Sequence, residues 1–302
     1  MKSILITGAG GFIGSHATIF FKGLGYDTYG LGHRGLFSVE SDLYNWREGD
    51  ISVSAILEFG KDFDAIVHCG GGASIKYSLE NTSEDYKKTV EGTLEVLEYM
   101  KNYNPNAHLI YPSSPAVQGE HPDQARKENY DGDPVSPYGK HKKETENLCL
   151  CYSKKFGLNI SIVRLYSVYG NGLRKQLLWD ACNKIMKAKS EVIFWGTGEE
   201  VRDFIHVEDV MSLFDILLNR KERFLIINGG TGIRHTVKNV VEKIRSYLKP
   251  NIRINFNNQI NIGNPKYYLA DTHKLKTYKY NVKKDFNDEI KNYADWVKGL
   301  ND

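Results

Sequence analysis

The chain has 302 residues, 41% of them hydrophobic and 25% charged, which suits a globular protein with a main domain and a smaller partner. Its 40 basic and 37 acidic residues nearly balance without any basic block, which argues against nucleic-acid or anionic-membrane partners. No apolar run approaches the ~20 residues of a membrane span, and four cysteines without C-x-x-C spacing argue against a disulfide scaffold, so we expect a cytoplasmic protein.

Short apolar runs alternate with helical patterns through the first half of the chain. The predicted strands are residues 4–7, 28–31, 65–69, 108–111 and 160–165. The predicted helices are residues 13–24, 82–101 and 138–156, the last ended by Gly157. This alternation predicts an α/β fold, a Rossmann-type doubly wound parallel sheet with helices on both faces.

The second half of the chain is less regular. It contains a predicted helix at 237–248, a predicted strand at 252–256, and a last amphipathic stretch with Phe286, Ile290, Tyr293 and Trp296. We therefore expect two domains, a dinucleotide-binding Rossmann domain at 1–165 and a smaller α/β substrate lobe at 166–302.

A glycine-rich loop follows the first predicted strand and opens the first predicted helix, with G-x-x-G-x-x-G spacing. Glycines allow a tight turn and let backbone N–H groups approach a pyrophosphate at the helix N-terminus. The strand before the loop and the helix after it are the context that this motif requires. We predict a dinucleotide site that includes Gly8, Gly11, Phe12, Ile13 and Gly14.

The end of the second strand should meet the adenosine ribose, where an acid would bind both hydroxyls. The chain has no acid there and reads His33-Arg34 instead. Arg34, with His33, can pair with a 2′-phosphate, which favours NADP slightly over NAD; the alternative is a solvated surface arginine. Asp50, followed by Ile51, is placed to bind the adenine amino group.

A Tyr-x-x-x-Lys pattern begins the third predicted helix, with Tyr138 and Lys142 one turn apart on one face. A phenol with its usual pKa of ~10 is a weak base at neutral pH, and a neighbouring ammonium favours the phenolate. The hydroxyl of Ser114, on a Ser-rich strand end, can orient the substrate oxygen. We predict these three as the catalytic side chains, with Tyr138 and Lys142 also contacting the cofactor, and we assign no metal.

With these motifs the chain resembles the extended short-chain dehydrogenase/reductase family, in its NAD-dependent epimerase/dehydratase group that modifies nucleotide sugars. The resemblance covers nearly the whole length and rests on residues 8–16, 49–51, 66–68, 77–81, 113–119, 138–142, 164–170 and 196–209. It implies Ser114 and Tyr138 at the sugar C-4 oxygen, Lys142 on the nicotinamide ribose, and redox chemistry that belongs to the cofactor. It also implies a homodimer that pairs through the helices at 82–101 and 138–156.

The same resemblance places the nucleotide diphosphate of the substrate on the segment 196–209. Arg202 is the implied phosphate ligand, and the alternative is a salt bridge from Arg202 to Asp203 or Asp209. Arg174 is a further candidate near the substrate.

Several positions depart from the family pattern. Family dehydratases place an acid within two residues after the catalytic Ser or Thr, where this chain has Pro115 and Ala116. Gln118 stands where a tyrosine is common, Thr89 where an asparagine braces the active-site helix, and residues 68–72 replace an alanine-rich cofactor wall. These changes leave hydride transfer intact and count against elimination.

Three functional classes fit the sequence. We expect an oxidoreductase that moves a hydride between a nicotinamide cofactor and C-4 of a nucleoside-diphosphate sugar, as a 4-keto reductase or 4-dehydrogenase. The alternative is a nucleotide-sugar 4-epimerase with captive NAD, and neither is a 4,6-dehydratase. Arg34 favours reduction, whereas general motif similarity favours epimerisation. A non-catalytic dinucleotide-binding protein is the third class, against which the intact catalytic residues count.

Overall fold

A parallel sheet organises the computed structural model, which describes residues 1–33, 45–72, 74–120, 123–220, 222–259 and 265–300. Within these residues the strands are β1 (Ser3–Thr7), β2 (Asp27–Gly32), β3 (Asn45–Glu48), β4 (Ala65–His68), β5 (His108–Ser113), β6 (Asn159–Leu165), β7 (Ser167–Tyr169), β8 (Glu191–Phe194), β9 (Val201–Arg202), β10 (Phe204–His206), β11 (Phe224–Gly229), β12 (His235–Thr236) and β13 (Arg253–Phe256).

The α-helices within the same residues follow the strands along the chain. They are α1 (Phe12–Gly23), α2 (Val53–Leu57), α3 (Ile75–Glu80), α4 (Thr82–Tyr86), α5 (Gly92–Tyr103), α6 (Pro137–Phe156), α7 (Gln176–Lys187), α8 (Val207–Leu218), α9 (Val237–Leu248), α10 (His273–Thr277) and α11 (Phe286–Gly299). A π-helical turn at Lys87–Glu91 joins α4 to α5, and a 3₁₀ turn at Pro115–Gln118 follows β5. None of the described helices is long and apolar enough to cross a membrane.

The main sheet has seven described strands in the order β11-β6-β5-β4-β1-β2-β3, and each neighbouring pair is parallel. Every residue of β1, β4 and β5 is buried, because helices cover both faces of the sheet. One core lies between the sheet and α1 and α8, and the other between the sheet and α5 and α6. This is the predicted α/β doubly wound fold.

The strand order reverses between β1 and β4, so a crevice opens at the carboxyl ends of these central strands. Such a reversal is where ligands bind in open α/β sheets. β1 leads into the glycine-rich loop, β4 into Cys69, and β5 into Ser114. The topology therefore gathers the predicted cofactor and catalytic residues at one edge of the sheet.

The second half of the chain contributes to both layers. β11 pairs with β6 and α8 packs in the core beside α1, so elements beyond residue 165 complete the main sheet. A third core joins α7, α9 and α11 beneath three small two-stranded sheets. The division of the chain at residue 165 remains a prediction about where cofactor and substrate bind.

The predicted elements occur close to their expected bounds, and the predicted helix at 82–101 contains the π-helical turn. The structure adds elements that were not predicted, namely the strands β3 and β7 to β12 and the helices α2, α3, α7, α8 and α10. α6 ends as predicted at Gly157, which has the left-handed φ of +74°. The four cysteines are free thiols.

Candidate active site

The glycine-rich loop between β1 and α1 has the shape of an anion-binding turn. Gly8 has φ +66°, and a Cβ there would lie 2.6 Å from the backbone of Cys69 and Gly70. A Cβ at Gly14 would lie 2.2 Å from the carbonyl oxygen of Gly8, so both positions require glycine. Among the described residues no side chain caps α1 at Gly11. A helix N-terminus of this kind suits a pyrophosphate.

The other predicted cofactor residues surround this loop. Phe12 and Ile13 form the first turn of α1 and are half-buried. The side chain of Ile51 packs so closely on Gly70 that a Cβ at Gly70 would lie 2.1 Å from its Cδ1. The structure therefore places Ile51 beside Gly70 at the end of β4, and its contact with the cofactor stays a prediction.

His33 and Asp50 meet just beyond the end of β2. The Nε2 atom of His33 lies 2.9 Å from the Oδ1 atom of Asp50, and both side chains are exposed. This hydrogen bond lowers the pKa of the Asp50 carboxyl. Arg34, on which the preference for NADP depends, lies outside the described residues.

The hydroxyl of Ser114 lies at the carboxyl end of β5, close enough to the phenol of Tyr138 to oppose the rise that burial causes in the pKa of the phenol. Tyr138 is the second residue of α6, whose first turn is capped by Ser136 through a 3.2 Å bond from the Gly139 N–H. The N–H of Tyr138 itself donates to the hydroxyl of Ser78 over 3.0 Å. These contacts fix the start of α6 and aim the phenol at the strand end.

Lys142 lies one turn further along α6 and is buried, with its ammonium donating to the carbonyl oxygen of Pro112 over 3.0 Å. Burial raises the pKa of Tyr138 to about 12, the bond from Ser114 lowers it, and the charge of Asp85 raises it. Burial lowers the pKa of Lys142 to about 8. Burial therefore dominates the pKa of Tyr138, and the lowering of that pKa by Lys142 stays a prediction.

A buried ion pair between Glu146 and Arg164 contacts the end of β5. The hydroxyl of Ser113 donates to Glu146 over 2.6 Å, and Glu146 accepts two bonds from Arg164, at 3.0 Å and 2.7 Å. Arg164 also donates to the carbonyl oxygen of Glu128 over 2.7 Å. Because every carboxylate oxygen in this pair is satisfied, it fixes the residue just before the predicted catalytic serine.

The turn after that serine supplies no acid. Pro115 and Ala116 are buried in the 3₁₀ turn and have no side-chain group that exchanges protons. Gln118, in place of the more common tyrosine, donates from Nε2 to the carbonyl oxygens of Lys127 and Tyr130, over 2.7 Å and 3.1 Å. Its role in the structure is to hold the neighbouring loop.

Arg202 lies on β9 with its guanidinium carbon 5.2 Å from the centre of the Tyr268 ring. It donates to two backbone carbonyl oxygens. The carboxylates of Asp203 and Asp209 accept bonds from backbone N–H groups instead. The salt-bridge alternative for Arg202 is therefore not observed, and the guanidinium remains a candidate phosphate ligand.

Arg126 is a buried residue of the site that the sequence analysis missed. Its guanidinium carbon lies 4.7 Å from the Tyr268 ring, which Arg202 also contacts. It donates to the carbonyl oxygen of Pro115 over 3.1 Å and to that of Tyr267 over 2.5 Å. Arg126 thus ties the turn after Ser114 to the segment that carries Tyr268.

Arg174 lies in the loop before α7, and its guanidinium carbon is 6.0 Å from the ring of Trp296. The loop then leads to Lys175, which starts α7 without a side-chain cap, and to Gln176, whose φ of +67° is unusual outside glycine. Burial lowers the pKa of Lys175. Arg174 therefore lies at the start of α7, and its contact with the substrate stays a prediction.

Comparison with known proteins agrees with this geometry. The model of the NAD dependent epimerase/dehydratase family matches residues 4–228. The chain is 29% identical to a putative UDP-glucose 4-epimerase of Methanocaldococcus jannaschii, with 99% of each protein covered. It is 28% identical, over 98% of its own length, to a trifunctional UDP-glucose 4,6-dehydratase/UDP-4-keto-6-deoxy-D-glucose 3,5-epimerase/UDP-4-keto-L-rhamnose-reductase of Arabidopsis thaliana, of which it spans 47%.

A solved structure with the same fold is the UDP-glucuronic acid 4-epimerase from Bacillus cereus, in complex with UDP-glucuronic acid and NAD. It matches with a TM-score of 0.87 at 24% identity, over 99% of this chain and 100% of that one. At this identity the match establishes the shared fold.

Proposed function

The chain belongs to the NAD dependent epimerase/dehydratase family, and we propose that it is a 4-epimerase of UDP-sugars that retains NAD. The observation that carries the proposal is the gathering of Ser114, Tyr138 and buried Lys142 where β5 ends and α6 begins, at the crevice beside the glycine-rich loop. This is an acid–base group beside a nicotinamide site, with no second acid in the turn that follows.

The names of two similar proteins favour epimerisation over the net oxidation or reduction that the sequence analysis preferred. The relative from Methanocaldococcus jannaschii is a putative UDP-glucose 4-epimerase, and the structure from Bacillus cereus is a UDP-glucuronic acid 4-epimerase. Both similar proteins are named for UDP-sugars, and we therefore propose uridine as the nucleoside of the substrate.

We propose NAD as the cofactor because the preference for NADP has no support in the described residues or the comparisons. The glycine positions fit a dinucleotide, since a Cβ at Gly8 or Gly14 would collide with backbone. The N–H groups at the start of α1 would hold the pyrophosphate, and Lys142 would bind the nicotinamide ribose. When bound, NAD supplies the hydride acceptor and donor at the sugar C-4.

The chain's own residues then manage the proton and the orientation of the sugar. Ser114 holds the C-4 oxygen, and Tyr138 takes the hydroxyl proton as the alcohol becomes a ketone. Tyr138 returns the proton after the keto sugar has turned its other face. Arg202, with the start of α7, holds the diphosphate so that the sugar can rotate without leaving.

The nucleotide that the purified protein retains tests this function, together with its action on UDP-glucose and UDP-glucuronic acid. We expect NAD to be released on gentle denaturation, and the intact protein to form the C-4 epimer of one of these sugars without added cofactor. A product two hydrogens heavier or lighter than its substrate, formed only with added NADPH or NAD, would instead establish the oxidoreductase.

We also propose a homodimer that pairs through α5 and α6. The side chains of Leu94 on α5 and Phe156 on α6 are 37% and 40% exposed, which leaves apolar surface on these two helices. Light scattering on the purified protein tests this, with a mass of twice 34.4 kDa expected.

A further inference from the structure

A buried carboxylate and a histidine face each other behind the catalytic helix. The Nδ1 atom of His141, on α6, lies 2.6 Å from the Oδ2 atom of Asp85, on α4. Asp85 is fully buried and His141 is 8% exposed. The other carboxylate oxygen of Asp85 is also buried and has no hydrogen-bond partner among the described residues. A buried carboxylate is costly, so this one requires a reason.

The glycine-rich wall of the crevice makes room for this carboxylate. A Cβ at Gly72 would lie 1.9 Å from the Oδ1 atom of Asp85 and 3.0 Å from the hydroxyl of Thr89. The hydroxyl of Thr89 also accepts a 2.8 Å bond from the N–H of Gly72. Gly72, within the segment 68–72 that replaces an alanine-rich one, therefore leaves space for the carboxylate of Asp85.

The carboxylate acts on both predicted catalytic groups. His141 lies one residue before Lys142 and three after Tyr138, so Asp85 is held against the same turn of α6. Burial, the bond from Ser114 and the charge of Asp85 together set the pKa of Tyr138, and the last of these raises it. The negative charge of Asp85 opposes the ionisation of the phenol.

We propose that Asp85, held by His141 against the turn of α6 that carries Tyr138 and Lys142, is a positioning residue that shifts the pH range of the reaction. The proposal rests on the proposed role of Tyr138. It goes further in assigning an electrostatic function to two residues that touch neither the sugar nor the cofactor.

The charged and titratable groups around this pair are few among the described residues. His141 faces Asp85 and the ring of Tyr86, whose hydroxyl donates to Glu144. Tyr138 interacts with Ser114 and Asp85, and also with the phenols of Tyr111 and Tyr268. Lys142 responds, besides Asp85, to the groups Cys69, Glu146 and Cys149. Glu146 is already paired with Arg164, whereas the Oδ1 atom of Asp85 has no hydrogen-bond partner among the described residues.

Asp85→Asn in the NAD-saturated protein is the decisive variant, because it keeps the shape and removes the charge. We expect the acid limb of the pH profile of kcat to move to lower pH by about half a unit or more. Glu84→Gln is the matched control, since it is also a carboxylate-to-amide change on α4 but at an exposed position. It should leave the profile unchanged.

Two substitutions at His141 separate positioning from simple packing. His141→Leu removes the donor that holds the carboxylate of Asp85 in place, so this variant should move the acid limb of the kcat profile away from its wild-type position. His141→Asn places an amide nitrogen where Nδ1 lies and should return the limb toward that of the wild type. If His141→Leu does not fold, the comparison of Asp85→Asn with Glu84→Gln decides alone.

An ultraviolet titration of the Tyr138 phenolate, taken as the difference from Tyr138→Phe, gives a readout that does not depend on epimerase activity. A lower midpoint in Asp85→Asn supports the proposal even if the chain catalyses another reaction at C-4. Profiles and midpoints that coincide with those of the wild type, with only the melting temperature lowered, would show that Asp85 and His141 are merely structural and would overturn it.

Discussion

Lys142 donates a hydrogen bond to the carbonyl oxygen of Pro112, two residues before Ser114. Its ammonium also lies 4.6 Å from the centre of the Tyr111 ring. The lysine is therefore held under the end of β5, where burial lowers its pKa to about 8. The fold therefore buries an ammonium group where burial destabilises its charged form, and such perturbed groups are frequent at functional sites.

We predict that Lys142→Met stabilises the protein at pH 7 while it removes activity. The unfolded lysine has a pKa near 10.5 and the folded one a pKa of about 8, so the unfolded state binds more protons between these values. The free energy of unfolding of the wild type therefore increases as the pH rises from about 8 to about 10.5, because the cost of burying the charged lysine disappears over this range. We expect the variant to gain roughly 1 to 3 kcal/mol at pH 7, shrinking toward pH 10.

Thermal unfolding across this pH range measures the effect, and Lys140→Met, at an exposed position on the same helix, is its control. Turnover and NAD affinity should both fall in Lys142→Met and stay near wild type in the control. A lower melting temperature for Lys142→Met at pH 7 would contradict the electrostatic account.

Tyr138→Phe should lower turnover by roughly a hundredfold or more, because it removes the proton acceptor from the C-4 oxygen. Folding and cofactor binding should persist, since the N–H bond to Ser78 does not involve the phenol. Tyr152→Phe, further along α6, removes a hydroxyl bonded to Glu98 and is the matched control. Near-normal turnover in Tyr138→Phe would exclude it from the mechanism.

The sequence predicts those parts of the site whose spacing is local. The glycine-rich loop and the pair Tyr138 and Lys142 lie within single elements, so turn geometry and helical periodicity suffice to find them. β3 escapes prediction because Asn45–Glu48 is an edge strand with only one half-buried residue and no apolar run. The π-helical turn within 82–101 has no pattern of its own, since its hydrogen bonds depend on the packing of α4 and α5.

The residues that were missed act through contacts between distant segments. Asp85 and His141 are 56 positions apart, and Arg126 and Tyr267 are 141 apart. No periodicity joins such pairs, because the packing of α4 on α6 and of the loop on the second lobe brings them together. The sequence held one indication of this pair, the glycine at position 72. Its reason is seen only in the structure, where a Cβ at this position would collide with the carboxylate of Asp85.

Arg202→Gln should raise the KM for the UDP-sugar by roughly tenfold or more with little change in kcat. This result is expected because the guanidinium would bind the diphosphate equally well in the ground state and in the transition state. Arg253→Gln on β13 changes an exposed arginine and is the control. Steady-state kinetics on both variants decides, and an unchanged KM in Arg202→Gln would remove it from the substrate site.

The last prediction concerns the reaction that the site cannot support. A 4,6-elimination needs an acid for the leaving hydroxyl and a base for the C-5 proton, in addition to the hydride step. Pro115 and Ala116 occupy the turn where family dehydratases carry the acid, and both are buried. The phenol of Tyr138 is already engaged at the C-4 oxygen. We therefore predict no loss of water from any nucleoside-diphosphate hexose.

Mass spectrometry of a panel of such sugars, with and without added NAD, checks this prediction. An epimer has the mass of its substrate and a different retention time, whereas a dehydratase product is lighter by one water. The tyrosine variant, Tyr138→Phe, is the control, because both reactions begin with oxidation at C-4 and should cease together. Formation of a 4-keto-6-deoxy sugar by the wild type would show that a residue outside this turn supplies the acid.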